Sequence, residues 1–169
     1  MQQLDLASAD QKVFSDLQSL LDEVRTIVSA KPKHIDEGIR ILAKLRSKSY
    51  ENLNQIQHEY ATFLGAQWLA EHDRSLHSAY WSWNPRQTGD STEPDLQVAS
   101  NGKVLISAEV TTSVKPQGKI DERMRSTLDK LSEMEGRLIY FVLSKEMKQR
   151  AETKIRKSRY AIEVVNLQN

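Results

Sequence analysis

The most constraining stretch is residues 93–119, EPDLQVASNGKVLISAEVTTSVKPQGK, which reads as two β-strands joined by a tight turn at Asn101-Gly102. A plain two-residue turn would set Val98 opposite Leu105 and Leu96 opposite Ser107, mixing polar with apolar side chains. If Gly102 instead follows a type I turn in the left-handed conformation, a three-residue loop with a bulge results. Leu96 then faces Ile106 and Val98 faces Val104, which gives one consistent apolar side. The preferred register is therefore the second. It leaves Asp95, Ser107, Glu109 and Thr111 on the opposite face.

Two carboxylates on one face of a hairpin suit a hard divalent cation. Mg²⁺ takes one or two carboxylates plus water and substrate phosphate, and Asp95 and Glu109 would supply the pair, with Mn²⁺ as a possible substitute. A metal held there lowers the pKa of a bound water and stabilises charge on a phosphodiester under attack. The competing reading is that Asp95 caps a turn and Glu109 lies near a solvated edge. Ser107, Glu109 and Thr111 nonetheless form a polar stripe behind Val104, Ile106, Ala108 and Val110.

The rest of the chain supplies context. Its 169 residues suffice for one core plus a helical extension, and the absence of cysteine excludes disulfides and thiolate zinc sites. No apolar run has membrane-spanning length and residues 1–12 lack a secretory apolar core, so a soluble cytoplasmic protein is expected. The net charge of +1 hides an asymmetry: residues 1–30 carry five acids and two bases, whereas residues 145–159 carry seven bases and two acids. Such a basic end permits nucleic-acid contact without requiring it.

Ser8-Ala9-Asp10-Gln11 resembles a capping box, followed by Val13, Leu17, Leu20, Leu21, Val24 and Val28 at helical spacing. This helix should stop before Lys31-Pro32, a second should start near His34, and a third should span residues 50–72. Strands are expected at 76–83, 95–99, 103–112, 138–143 and 160–167, with helices after Gly118 and over 145–157. Residues 138–143 are continuously apolar, as in a strand buried on both faces. The predicted architecture is α/β: an N-terminal helical extension over residues 1–49, then a core over 50–169 in the order αβββαβ, with a mixed central sheet flanked by helices.

Pro94-Asp95, then Glu109-Val110-Thr111 one hairpin later, then helix and strand, resembles the PD-(D/E)XK phosphodiesterase superfamily, which includes type II restriction endonucleases and Holliday-junction resolvases. The resemblance covers roughly residues 50–167, and its sharp motif is three residues long. It implies a restriction-endonuclease-like core and a Mg²⁺-dependent DNA endonuclease. Asp95 and Glu109 would be the metal ligands, and the Val110 carbonyl would complete the shell. The third motif position is usually lysine but is Thr111 here, and a hydroxyl cannot deliver positive charge to the transition state. Three arrangements remain open. Either the lysine role falls to Lys115, which shares strand parity with Thr111, or to Lys119; or a second metal or a differently placed water replaces it; or the site is degenerate and binds without cutting.

In this reading Thr111 positions the water. The resemblance also implies a glutamate on the helix before the first strand, for which Glu59 is the candidate and Glu71 the fallback. Contact with double-stranded DNA is assigned to Arg86, Lys119, Arg123, Arg125 and Lys130, which would track phosphates. Trp81 and Trp83 are more readily core aromatics than base-stacking ones, and the four histidines show no zinc-ligand spacing. A homodimer is expected, paired through the apolar faces of the first two helices; a junction- or RNA-directed nuclease is the alternative activity.

Overall fold

The computed structural model describes residues 1–85 and 92–168, with the backbone alone at position 51. Ten elements, joined by one 3-10 turn at Arg74–Leu76, follow in order: β1 (Gln2–Gln3), α1 (Leu6–Val28), α2 (Ile35–His72), β2 (Tyr80–Trp83), β3 (Leu96–Ser100), β4 (Lys103–Val110), α3 (Lys119–Ser132), β5 (Arg137–Val142), α4 (Lys145–Ser158) and β6 (Ile162–Asn166). The six strands form one mixed sheet in sequence order. Pairs β1–β2, β2–β3 and β3–β4 are antiparallel; β4–β5 and β5–β6 are parallel, joined across α3 and α4. The fold is thus mixed α/β, in the order expected from residue 50 onward.

The sheet lies between two helical layers. Leu96, Val98, Ile106, Ala108, Ile139 and Phe141 pack against α1 and α2. Leu138, Tyr140, Val142, Ile162 and Val164 form a second cluster with α3 and α4. Residues 138–142 alternate between these clusters and are buried throughout, which explains their unbroken apolar run. Gly65 lets α2 approach the sheet, since a Cβ there would stand 2.9 Å from the Phe141 ring.

Four local expectations are corrected. The α1 N-cap is Asp5, whose carboxylate accepts from the Ser8 amide at 2.9 Å, so the helix begins before the Ser8-Ala9-Asp10-Gln11 box. Residues 35–72 form one helix; the boundary expected between residues 49 and 50 falls inside it, because no proline or glycine interrupts the backbone hydrogen bonds there. β1, unforeseen, extends the sheet beside β2, and Leu4, Ala9, Val13 and Leu20 join the α1/α2-side core.

The fourth concerns the hairpin. Asn101 (φ 51°) and Gly102 (φ 74°) are both left-handed, giving a two-residue turn rather than the expected three-residue loop. Ser100 pairs with Lys103 and Ala99 with Val104; the register then shifts, so that Val98 pairs with Ile106 and Leu96 with Ala108. The extra residue is Leu105, a bulge within β4 instead of at the turn. Leu96 and Val98 therefore do not face Ile106 and Val104. Gly136 (φ 84°) abuts the bulge: a Cβ there would stand 2.7 Å from the Leu105 carbonyl carbon and oxygen. Beyond the bulge the slip is two residues, so Asp95, Ser107 and Glu109 still share one face and Leu96, Val98, Ile106 and Ala108 the other, whereas Leu105 rather than Val104 packs on the α1/α2 side. It also carries Asp95, one residue before β3, from a place across from Ser107 to one across from Glu109.

Candidate metal centre

The acids meet where β3 begins and β4 ends. Asp95 is 1% exposed; its Oδ2 accepts from the Val110 amide at 2.7 Å and lies 3.2 Å from His58 Nε2, on α2. Its Oδ1 is buried without a hydrogen-bond partner. A buried carboxylate oxygen left bare in this way costs on the order of 1–3 kcal/mol, which a cation would recover.

Glu109 is also buried, and the Lys130 ammonium from α3 stands 2.6 Å from its Oε1 as an ion pair without directed hydrogen-bond geometry. Burial first, and the Asp95 charge second, push the Glu109 carboxyl up to about 8 although Lys130 and His58 pull it down. Two carboxylates that cannot comfortably ionise together in a dry site form a cation-seeking pair. For the His58 imidazolium, desolvation is the largest influence and pulls its pKa down. Asp95, then Glu109 and Glu59, more than offset it and hold the net value above the ordinary one.

Glu59, expected at the rim of α2, is instead 1% exposed. Lys12 of α1 forms an ion pair with its Oε2, and Gln55 Nε2 lies 3.2 Å from its Oε1. The Gln55 amide also reaches the Pro85 carbonyl, and Lys12 extends to Asp16 at 2.7 Å. Glu71 is exposed. Thr111 lies one residue beyond β4, half-buried; its amide donates to the Phe141 carbonyl at 3.0 Å and its hydroxyl neighbours that of Tyr140. Burial is the main reason the Tyr140 phenol is pushed far up.

β4 ends at Val110, so the strand that would have aligned Lys115 with Thr111 does not extend that far, and Lys115 is exposed in the following loop. Lys119, Arg123 and Arg125 are exposed on α3; Arg86 lies outside the described residues. Lys130 differs from the other α3 cations: it points inward at Glu109 and also donates to the Glu93 carbonyl at 3.2 Å. Trp83 is core, and the half-buried Trp81 donates to the Leu76 carbonyl.

Sequence reasoning missed His58, Lys12 and the inward course of Lys130. Each flanks the apolar stripe of its helix, beside Ala61-Thr62, Val13 and Leu131 respectively. That position is the available signal, and many solvated side chains share it. Among the described residues no three His, Cys, Asp or Glu side chains group as a metal cage, which leaves the two-carboxylate set. Such a set fits Mg²⁺, which keeps several waters. Among the described residues no helix is long and apolar enough to cross a membrane. Comparison with known protein families, with curated proteins and with solved structures finds no match to the chain.

Proposed function

We propose that this protein is a Mg²⁺-dependent DNA endonuclease of the PD-(D/E)XK, restriction type. The observation that carries the reading is the buried Asp95–Glu109 pair, with a bare Asp95 Oδ1 and a lysine ammonium at Glu109. The order of elements from α2 to β6, an antiparallel meander followed by a parallel crossover, agrees with the αβββαβ core of that superfamily. Asp95, Glu109 and the Val110 carbonyl would hold the metal, with Mn²⁺ as a substitute; when bound, it supplies a more acidic water and charge stabilisation.

The chain's own groups do the rest. Lys130 brings to the acids the positive charge that Thr111 cannot, reaching from α3 instead of from β4. Lys115 and Lys119 are not needed for it. Thr111 positions the attacking water, His58 and the Val110 amide hold Asp95 Oδ2 so that Oδ1 faces the ligand, and Lys12 with Gln55 braces Glu59. Lys119, Arg123, Arg125 and Arg86 would track the phosphates of double-stranded DNA in the cytoplasm.

The test is cleavage of plasmid and oligonucleotide duplexes with Mg²⁺ or Mn²⁺ by the wild type and by Asp95→Asn, Glu109→Gln and Lys130→Met. Each substitution is expected to lower the rate by about 100-fold or more. Equal behaviour of all four across many sequences refutes the nuclease reading, and binding without cutting makes the protein a nuclease-fold scaffold. Preference for branched or RNA substrates keeps the chemistry and changes the target.

A further inference from the structure

The α1–α2 hairpin carries an apolar seam that the fold does not cover. On α1, Phe14, Leu17, Leu21 and Val28 repeat with Val24 at alternating three- and four-residue steps, and all but the partly buried Val24 are exposed. They flank the buried stripe of Ala9, Val13, Leu20 and Ile27. On α2 the same alternation runs through the apolar Ile35, Ile39, Leu42 and Leu53, with the polar Arg46 and the half-buried Ser49 at the two steps between. It continues through Ile56, Tyr60 and Phe63. Ile56 and Phe63 are core, yet Ile35 is 88% and Leu42 61% exposed. A strict seven-residue repeat is the pattern of a helix packed on another helix.

Two contacts show that the helices run antiparallel: Lys12 pairs with Glu59, and Glu23 lies 3.8 Å from Lys48. Each seam is displaced in the same rotational sense from its buried stripe, so both open on the side of the hairpin away from the sheet. Among the described residues of α2, none before Ile56 is buried. That half of the helix is tied to α1 by Lys48–Glu23 and to the Pro85 carbonyl by Gln55 at its end, too little support for so long an exposed apolar stripe.

We propose that this face is the interface with a second copy of the same chain, closing an antiparallel four-helix bundle in which α1 of each copy lies across α2 of the other. Two arguments select this occupant. α1 carries four acids and two bases, while residues 35–50, the first part of α2, carry four bases and two acids, so α1 of one copy and that part of α2 in the next are oppositely charged. The exposed apolar side chains offer on the order of 900 Å² per copy, near the roughly 800 Å² per partner of a stable interface. The bundle does not depend on the nuclease reading, since an inactive chain would form it equally.

The test is sedimentation equilibrium of the full chain and of Ile39→Glu and Leu42→Glu, with far-UV circular dichroism to verify folding. Both positions are exposed in the single chain, so each variant is expected to stay folded. The wild type should sediment at twice the 19.4 kDa chain mass. Each variant should dissociate at least about 100-fold more readily. Lys145→Glu on α4 is the control and should leave the dimer intact. A wild type that remains monomeric at about 50 µM overturns the proposal. So does a dimer indifferent to both substitutions, or a monomer whose seam instead binds lipid vesicles. If one variant unfolds, Phe14→Glu on α1, 57% exposed, takes its place.

Discussion

Replacing Glu109 by glutamine should make the protein more stable above neutral pH, although it removes an acid that holds an ion pair. The folded state keeps the Glu109 proton up to about 8, against an ordinary 4.5 for the free group. Below pH 4.5 the carboxyl is protonated in both states and contributes nothing. Between the two values the unfolded chain releases the proton and the folded chain does not, so stability falls as pH rises. Above about 8 both are ionised and the full penalty stands, roughly 5 kcal/mol by linkage. That penalty already includes the pull of Lys130 and His58 on the carboxyl, so Glu109→Gln should gain up to about 5 kcal/mol at high pH.

Urea unfolding of both proteins across this range, read by circular dichroism, measures the difference. His58, also raised, stabilises below its ordinary 6.5 and loses that contribution as pH climbs, so some slope survives in the variant. Added Mg²⁺ should raise the melting temperature of the wild type but not of the variant. If Glu109→Gln destabilises the protein at high pH, or its stability falls as steeply as that of the wild type, the acid pair is not an electrostatic load awaiting a cation.

Gly136→Ala is expected to destabilise the fold by about 2–4 kcal/mol, because a side chain at φ 84° would collide with the Leu105 backbone. The urea midpoint tests it, and an unchanged midpoint would mean that the bulge gives way freely. Lys12→Met should cost about 2 kcal/mol by leaving the buried Glu59 with only Gln55, whereas Lys12→Arg should recover most of it. Equal losses in the two would show that the stem of Lys12, rather than its charge, matters.

What was legible in the sequence follows from locality. The apolar run at 138–142 announced a strand covered on both faces, and the alternation in Val104, Ile106, Ala108 and Val110 announced the polar face that carries Glu109. The junction near residue 49 misled because Arg46-Ser47-Lys48-Ser49 is polar, although a helix with one free side accepts polar residues without breaking. β1 is two glutamines at a sheet edge, a pairing with no periodicity to detect. His58 and Lys130 reach the acids only because α2 and α3 pack from opposite sides of the sheet, and no local pattern encodes that.

The hairpin register shows the same limit most sharply, because it decides whether Asp95 lies across from Ser107 or from Glu109. Turn chemistry alone cannot fix it. The Asn101-Gly102 turn sets one pairing, and the bulge at Leu105 resets it two pairs later. The segment from the end of α3 to the start of β5 accounts for the bulge, since it grips β4 at three successive points. Gly136 lies against Leu105, the Glu135 carbonyl accepts from the Ser107 hydroxyl at 2.8 Å, and Lys130 stands at Glu109. Leu105, Ser107 and Glu109 are alternate residues of one strand, so seven residues of connection hold the register and supply the cation beside the acid that the register presents. The alignment of the acids is therefore a tertiary property, built by a contact about thirty residues distant in sequence rather than by the hairpin itself.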